Sequence, residues 1–313
     1  MSVNKENWIE ISKMSKSSLE SGYGSTNDDF IPEPNLQRIQ TDKTRLENDF
    51  IIEKLLMNSA NGRIYTGIDS ATNEKVIFKQ IPRVTCTAWS KFEGHLVPSE
   101  IAYHFQASKF DDFDVIVRPL TWMEKRSSFV LVMEHVENSI DLFDLSQKYG
   151  TLNDEAVCII FRQIVQMLKV LEKSGICHRD IKDENIVINL TTLQVKLIDF
   201  GCATQSRAGQ LVNFSGTPEF YPPEFWLSKK YTQNGLSVWS VGIVLYILVN
   251  GKLPFEGVRD IPFYNVENDF SVQKASNNVQ TLLLHMLKRN PLQRPSLSDL
   301  EAFVASWEMS FSV

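Results

Sequence analysis

This 313-residue chain has little cysteine, a deficit of basic charge and no long uninterrupted apolar run. Its four cysteines, Cys86, Cys158, Cys177 and Cys202, fall at no metal-ligand spacing and build no disulfide framework. They read as reduced thiols of an intracellular protein. Lys and Arg number 32 against 38 Asp and Glu, a formal net charge of −6. That balance speaks against nonspecific nucleic-acid binding and suits a cationic partner better. The longest apolar run, near Val238 to Val249, carries Trp239, Ser240 and Gly242. It is too short to span a bilayer and predicts a buried helix. No apolar signal region opens the chain and no internal repeat runs through it. The expectation is a monomer of the cytoplasm or nucleus, with no membrane or nucleic-acid partner.

Residues 1–45 are rich in Ser, Asn, Lys and Asp without sustained apolar periodicity. Such a segment buries too little surface to offset its ordering entropy, which predicts a disordered N-terminal extension. From Asp49 the pattern becomes short β-like runs: Phe50 to Met57, Arg63 to Asp69 and Lys75 to Ile81. Asn61-Gly62 supplies a turn between the first two. Pro98-Ser-Glu100 opens a helix, with proline near a first turn that does not need its N–H. Two further runs, Val115 to Met123 and Ser128 to Glu134, read as paired strands, and beyond Asp141 the chain turns helical. This is an α+β pattern, strands first and helices after.

The chemistry concentrates in His178-Arg-Asp-Ile-Lys-Asp-Glu-Asn185, followed by Asp199-Phe-Gly201. Such a string gathers an acid, a lysine and two metal-binding side chains around one phosphoryl group. Asp180 can take the proton of an attacking hydroxyl, and Lys182 can neutralise charge on the moving phosphate. Asn185 and Asp199 can hold Mg²⁺. An isolated H-R-D tripeptide would carry little weight; the full string resembles a protein kinase. The resemblance implies a bilobal kinase fold over residues 46–308. A small β-rich lobe would span about 46–134 and a larger helical lobe about 138–308. ATP and Mg²⁺ would be the cofactors and proteins the substrates.

Val76-Ile-Phe-Lys79 occupies the place of the V-A-I-K strand, so Lys79 is the expected ligand of the α- and β-phosphates, paired with Glu100. Here the similarity narrows to the Pim family of serine/threonine kinases, within the calmodulin-dependent-kinase group. Val97-Pro-Ser-Glu100, Trp122-Met-Glu124, Asp141-Leu-Phe-Asp144, Leu197-Ile-Asp-Phe-Gly201 and Tyr221-Pro-Pro-Glu224 all recur there. PAS-domain kinases share part of the set. Lys182 and Thr217 are serine/threonine-kinase choices. The resemblance also implies a Glu224–Arg294 pair under the substrate platform, and a hinge with Met133 as gatekeeper. Backbone groups of Glu134 and Val136 would meet the adenine edge, Val187 would lie below the ring, and Asp141 would contact ribose or substrate.

The pattern also breaks. The glycine-rich loop reads Met57, Ser59, Gly62 and Ile64, with only its third glycine left. Ile77 stands where alanine normally packs on adenine, and such overpacking costs about 1–3 kcal/mol. That corresponds to roughly 5- to 150-fold in ATP affinity. A pseudokinase or scaffold with weak or no turnover is therefore the alternative function. His104 falls one turn after Glu100, at an apolar position of the family, and reads as either a packed or a surface histidine. Ser237 replaces an aspartate that most kinases, though not Pim kinases, place there.

Asp141, Asp144, Asp183 and Glu184 imply substrates with Arg- or Lys-rich sites upstream of the target, whereas Lys252 occupies a position that is acidic in the family. Of the activation-segment residues Thr204, Ser206 and Ser215, the last stands where Pim kinases carry aspartate. Phosphorylation of Ser215 or constitutive activity are both open. Cys202 reads as a packing residue or as a thiol within reach of electrophilic ligands.

Overall fold

The computed structural model describes residues 49–59, 62–206, 210–266 and 275–311. The predicted extension over 1–45, and Asn61 of the predicted turn, lie outside them. The chain divides into two compact units. One takes the chain up to Thr85, Leu120–Ser139 and Asn189–Leu193. The other takes Cys86–Pro119, Ile140–Ile188 and the chain from Gln194 onward.

The first unit is built on a five-stranded sheet. Its strands are β1 (Phe50–Ser59), β2 (Gly62–Asp69), β3 (Glu74–Pro82), β6 (Pro119–Glu124) and β7 (Ser128–Glu134), in the order β1-β2-β3-β7-β6. Successive side chains of a strand point to opposite faces, so the register sorts the residues into two sets. Tyr65, Phe78 and Val132 stand opposite one another on one face. With Phe50, Val76, Met123 and Val130 they form the buried core of the unit. Phe50 meets Phe78 edge-on at 5.7 Å between ring centroids. Burying side chains of this size stabilises by about 1.5–3 kcal/mol each. The opposite face carries the rows Ile64–Lys79–Leu131 and Thr66–Ile77–Met133.

Gly62 has a reason of its own to be glycine. Its φ is +137°, and an added Cβ would lie 2.0 Å from the Gln80 carbonyl oxygen. The close approach of β2 to β3 thus requires this residue before any ligand does.

In the second unit the sequence expectation needs two corrections. Val115 to Val117 are not strand: Ile116 makes only an isolated bridge to Leu197, and β6 begins at Pro119. The Asp111 carboxylate takes the N–H groups of Val115 at 3.1 Å and Ile116 at 2.7 Å, so a side chain stands in for a strand partner. A hairpin, β4 (Trp89–Phe92) and β5 (His95–Pro98), lies in a stretch with no sequence expectation. Its turn places Glu93 at φ 49° and Gly94 at φ 85°. Positive φ at both central residues is the tight-hairpin geometry, and glutamate at the first hid it from a reading that looks for Asn-Gly or Asp-Gly.

Helix α1 (Ser99–Ser108) starts one residue after Pro98, as the sequence predicts. Helices α2 (Leu142–Tyr149), α3 (Asp154–Ser174), α4 (Pro223–Ser228), α5 (Gln233–Asn250), α6 (Asn277–Met286) and α7 (Leu297–Met309) follow. Local chemistry marks their ends: Asn153 accepts from the Ala156 N–H at 2.9 Å, and Gly175 closes α3 in the left-handed region. The predicted buried run forms the body of α5, a helix of 18 residues. Among the described helices it is the one long and apolar enough to cross a membrane, but 78% of it is buried inside the protein. It is a core helix.

After the short strands β8 (Ser139–Asp141) and β9 (Ile176–Cys177), β10 (Ile186–Asn189) and β11 (Val195–Leu197) pair antiparallel and bring Ile186 opposite Leu197. Beneath α4, the Glu224–Arg294 pair expected from the resemblance is present and bidentate, at 2.8 and 2.7 Å. Arg294 also donates to the carbonyls of Gly235 and Lys288, both at 2.8 Å, and lies over the Trp239 ring at 5.0 Å. Its side chain is fully buried. Arg294→Ala should destabilise the fold by about 3–5 kcal/mol, because Glu224 is then left without its cation. The fall in the denaturation midpoint measures it.

Candidate active site

Asp180 follows Arg179, whose φ of +66° is costly for a residue with a Cβ. The Asp180 carboxylate is held at both oxygens. The Thr217 N–H donates to Oδ1 at 2.9 Å, and Asn185 Nδ2 donates to Oδ2 at 3.0 Å. Asn185 also donates to the Asp180 carbonyl at 2.8 Å. Gly216 makes the first contact possible: its φ is +125°, and a Cβ there would lie 2.5 Å from the Arg179 carbonyl oxygen.

Lys182 pairs with Glu184. Burial alone would lower the lysine pKa, but Glu184's hydrogen bond and the charges of Asp180, Glu184 and Asp183 outweigh it and raise it. The ammonium is therefore charged wherever the enzyme is folded at neutral pH. Asp183 is pushed up from its ordinary 3.8 to about 6, by burial first and by the Glu184 charge, against backbone hydrogen bonds. Asp141 is also raised, chiefly by burial and then by Asp144 and Glu184, against two backbone bonds. Its side chain caps α2 by accepting from the Asp144 N–H at 2.7 Å.

Asp199 adopts φ 62°, ψ 84°, and its Oδ1 accepts from the Gly201 N–H at 3.0 Å. The next residue, Phe200, is fully buried. Its ring stacks on His104 at 4.6 Å and meets His178 edge-on at 4.9 Å. His104 is thus a packed histidine, 1% exposed, whose Nε2–H donates to the Val117 carbonyl at 2.5 Å. Burial lowers the pKa of His178, the nearby Asp180 and Asp199 charges notwithstanding, and its Nε2–H donates to Ile198 at 3.2 Å. Glu100, in the first turn of α1, comes to the same place: a Cβ on Gly201 would lie 3.0 Å from Asp199 Oδ1 and 3.4 Å from Glu100 Oε2. Two carboxylates therefore converge beside Gly201, an arrangement suited to cations.

In the first unit, Met57 pairs with Ile64, which pairs with Lys79, and Ile77 pairs with Met133. Register brings Met57, Ile64, Ile77, Lys79 and Met133 to one sheet face, away from the core. Met57 is 56% exposed. The Ser59 hydroxyl donates to the Gly62 carbonyl at 3.1 Å, so its proton is committed to the loop itself. After Glu134, the Val136 carbonyl accepts from Ser139 Oγ at 2.6 Å. Val187 lies in β10 of the second unit, opposite Lys196.

In the activation segment, the Arg179 Nε–H donates to the Cys202 carbonyl at 2.6 Å. The Tyr221 hydroxyl donates to the Ser215 carbonyl at 2.7 Å and accepts its N–H at 3.0 Å. Burial, then the Asp180 and Asp199 charges, raise the Cys202 pKa against the influence of the Ser215 side chain, so it stays a poorly nucleophilic thiol.

A family profile described as "Protein kinase domain" matches residues 52–304. The chain belongs to the protein kinase family. The serine/threonine-protein kinase pim-2 of Danio rerio is 33% identical over 279 residues, 87% of this kinase and 88% of that protein. The serine/threonine-protein kinase prk-2 of Caenorhabditis elegans is 33% identical over 266 residues, 82% of this kinase and 58% of the relative. A PAS domain-containing serine/threonine-protein kinase of Mus musculus is 34% identical over 250 residues, 78% of this kinase but 17% of the relative. The Pim resemblance read from the motifs thus extends over most of the kinase.

Kinases of this family use ATP with Mg²⁺. Among the described residues no three His, Cys, Asp or Glu side chains form a metal site of their own. The residues nonetheless fit Mg²⁺. Asn185 spends its amide nitrogen on Asp180 and keeps its carbonyl oxygen, and Asp199 is a carboxylate. Such hard oxygen donors suffice when phosphate and water complete the shell.

The raised Asp183 pKa has a thermodynamic consequence. Between pH about 4 and 6 the folded state holds a proton that the unfolded state releases, so this residue's contribution to stability falls as pH rises through that window. The Asp183→Asn variant should lose this slope. The difference in unfolding free energy between wild type and variant should change by up to about 3 kcal/mol from pH 4 to 7. A flat difference across that range contradicts the assignment.

Proposed function

We propose that this serine/threonine protein kinase transfers the γ-phosphate of ATP to Ser or Thr hydroxyls of proteins, with basic residues near the target. The observation that carries the reading is the doubly held Asp180 carboxylate beside a charged Lys182. A base fixed at both oxygens loses little orientation when it takes the hydroxyl proton. Lys182 then offsets negative charge gathering on the transferred group.

Lys79 would bind the α- and β-phosphates. Met57, Ser59, Gly62, Ile64, Ile77 and Met133 would cover the nucleotide, Glu134 and Val136 would meet the adenine edge through backbone groups, and Val187 would lie below the ring. Asp141 would contact the ribose. Asn185 and Asp199 would hold Mg²⁺, which when bound neutralises phosphate charge. Met57 and Ile77 would narrow the space for adenine, so ATP binds less tightly than under a small-residue roof. Asp141 and Asp144 support a preference for Arg or Lys near the target, whereas Asp183 is buried and Glu184 is held by Lys182.

The test is transfer of labelled phosphate from Mg·ATP to a Ser peptide with upstream arginines, beside the same peptide with glutamines. Wild type should favour the arginine peptide, and Asp180→Asn and Asp199→Asn should each abolish transfer. Equal labelling of the two peptides would reject the basic preference. Absence of labelling with wild type would reject the enzyme.

A further inference from the structure

A pocket of about 290 Å³ opens in the second unit between α2, the catalytic loop, the segment at Thr217 and the end of α5. It adjoins the catalytic base through Thr217, whose N–H is bonded to Asp180. A substrate hydroxyl at Asp180 therefore brings its flanking residues to this pocket.

The walls are mainly apolar. Phe143, Ile247 and Leu253 line it, and Phe143 is left 42% exposed although it belongs to an ordered helix. The charges around it are poorly arranged for a guanidinium. Glu184 is held by Lys182, Asp183 is 4% exposed, and the third carboxylate of the lining, Glu219, shares the pocket with the ammonium of Lys252, which offsets its charge. Lys252, directly after the glycine that ends α5, lines the pocket from the other side. Among the described residues it has no carboxylate partner. An arginine entering here would meet an unneutralised ammonium and would trade hydration for aliphatic walls, which is unfavourable.

We infer that this pocket takes one apolar side chain of the protein substrate, next to the target hydroxyl, and that Lys252 turns basic side chains away from it. The kinase therefore reads a mixed sequence: basic residues at other positions and a Leu-, Met- or Phe-like residue at this one. The inference rests on the reading of Asp180 as the base. Hydrophobic selection of this kind is worth about 10- to 200-fold at most between side chains. Removing the like charge and adding a carboxylate supplies the partner that a guanidinium needs.

The experiment is a positional scan of peptides around a fixed serine, with wild type and Lys252→Glu, each scored as ratios within one enzyme. Wild type should prefer apolar over Arg or Lys by about 10-fold or more at one flanking position. In Lys252→Glu that position alone should shift toward Arg or Lys by about 10-fold. If wild type labels the peptides but no position prefers an apolar residue, or if the two profiles coincide, the inference is wrong and the kinase reading stands. If no peptide is labelled, the kinase reading fails and takes the inference with it.

Discussion

The Asp180 carboxylate, bonded by Asn185 from one side and by the Thr217 N–H from the other, is the interaction on which the catalytic part of this protein depends. It joins two segments far apart in sequence, the catalytic loop and the end of the activation segment. Neither bond is large; a net hydrogen bond to a charged group contributes about 1.5–3 kcal/mol. Their value lies in geometry, because each fixes one oxygen and together they leave the carboxylate no rotation. Gly216 is the condition for the Thr217 bond, since any side chain there strikes the Arg179 carbonyl.

A second constraint supports the first. Asp199 sits in a left-handed conformation that a non-glycine residue adopts only when its surroundings demand it. The demand comes from Phe200, whose ring is clasped between His104 and His178 in the interior. Both histidines spend an Nε2–H on a backbone carbonyl while their ring faces serve as packing surface, and His178 keeps a buried Nδ1 without a partner among the described residues. His104 thus does an apolar residue's work with an imidazole, and α1, which carries it, also brings Glu100 to Gly201.

Much of this was legible in the sequence because the chemistry is local. His178 to Asn185 and Asp199 to Gly201 are short strings whose spacing implies their arrangement, and the β-like runs from Phe50, Arg63 and Lys75 mark β1 to β3. The Glu224–Arg294 pair was readable only through resemblance, since 70 residues separate its members. What escaped has physical causes. Val115 to Val117 look like strand by composition, but Asp111 satisfies the N–H groups of Val115 and Ile116. The β4–β5 hairpin turns on a glutamate at positive φ. Gly62 reads as a phosphate-loop glycine, yet β3 requires it independently. The pocket at Lys252 draws on four separated segments, and no local pattern announces it.

The central claim, that Asp180 works because its two oxygens are fixed, is tested most directly by steady-state kinetics of Gly216→Ala. The added methyl would lie 2.5 Å from the Arg179 carbonyl oxygen and 3.1 Å from Asp180 Oδ1, so the backbone at Arg179 or at residue 216 must shift and carry the base or the Thr217 N–H with it. Displacements on the order of 1 Å at a reacting group cost about 100-fold. The account predicts that kcat falls by about that factor while the KM for ATP changes little, because the substitution lies on the peptide side of the base. A folded Gly216→Ala enzyme with wild-type kcat would contradict it.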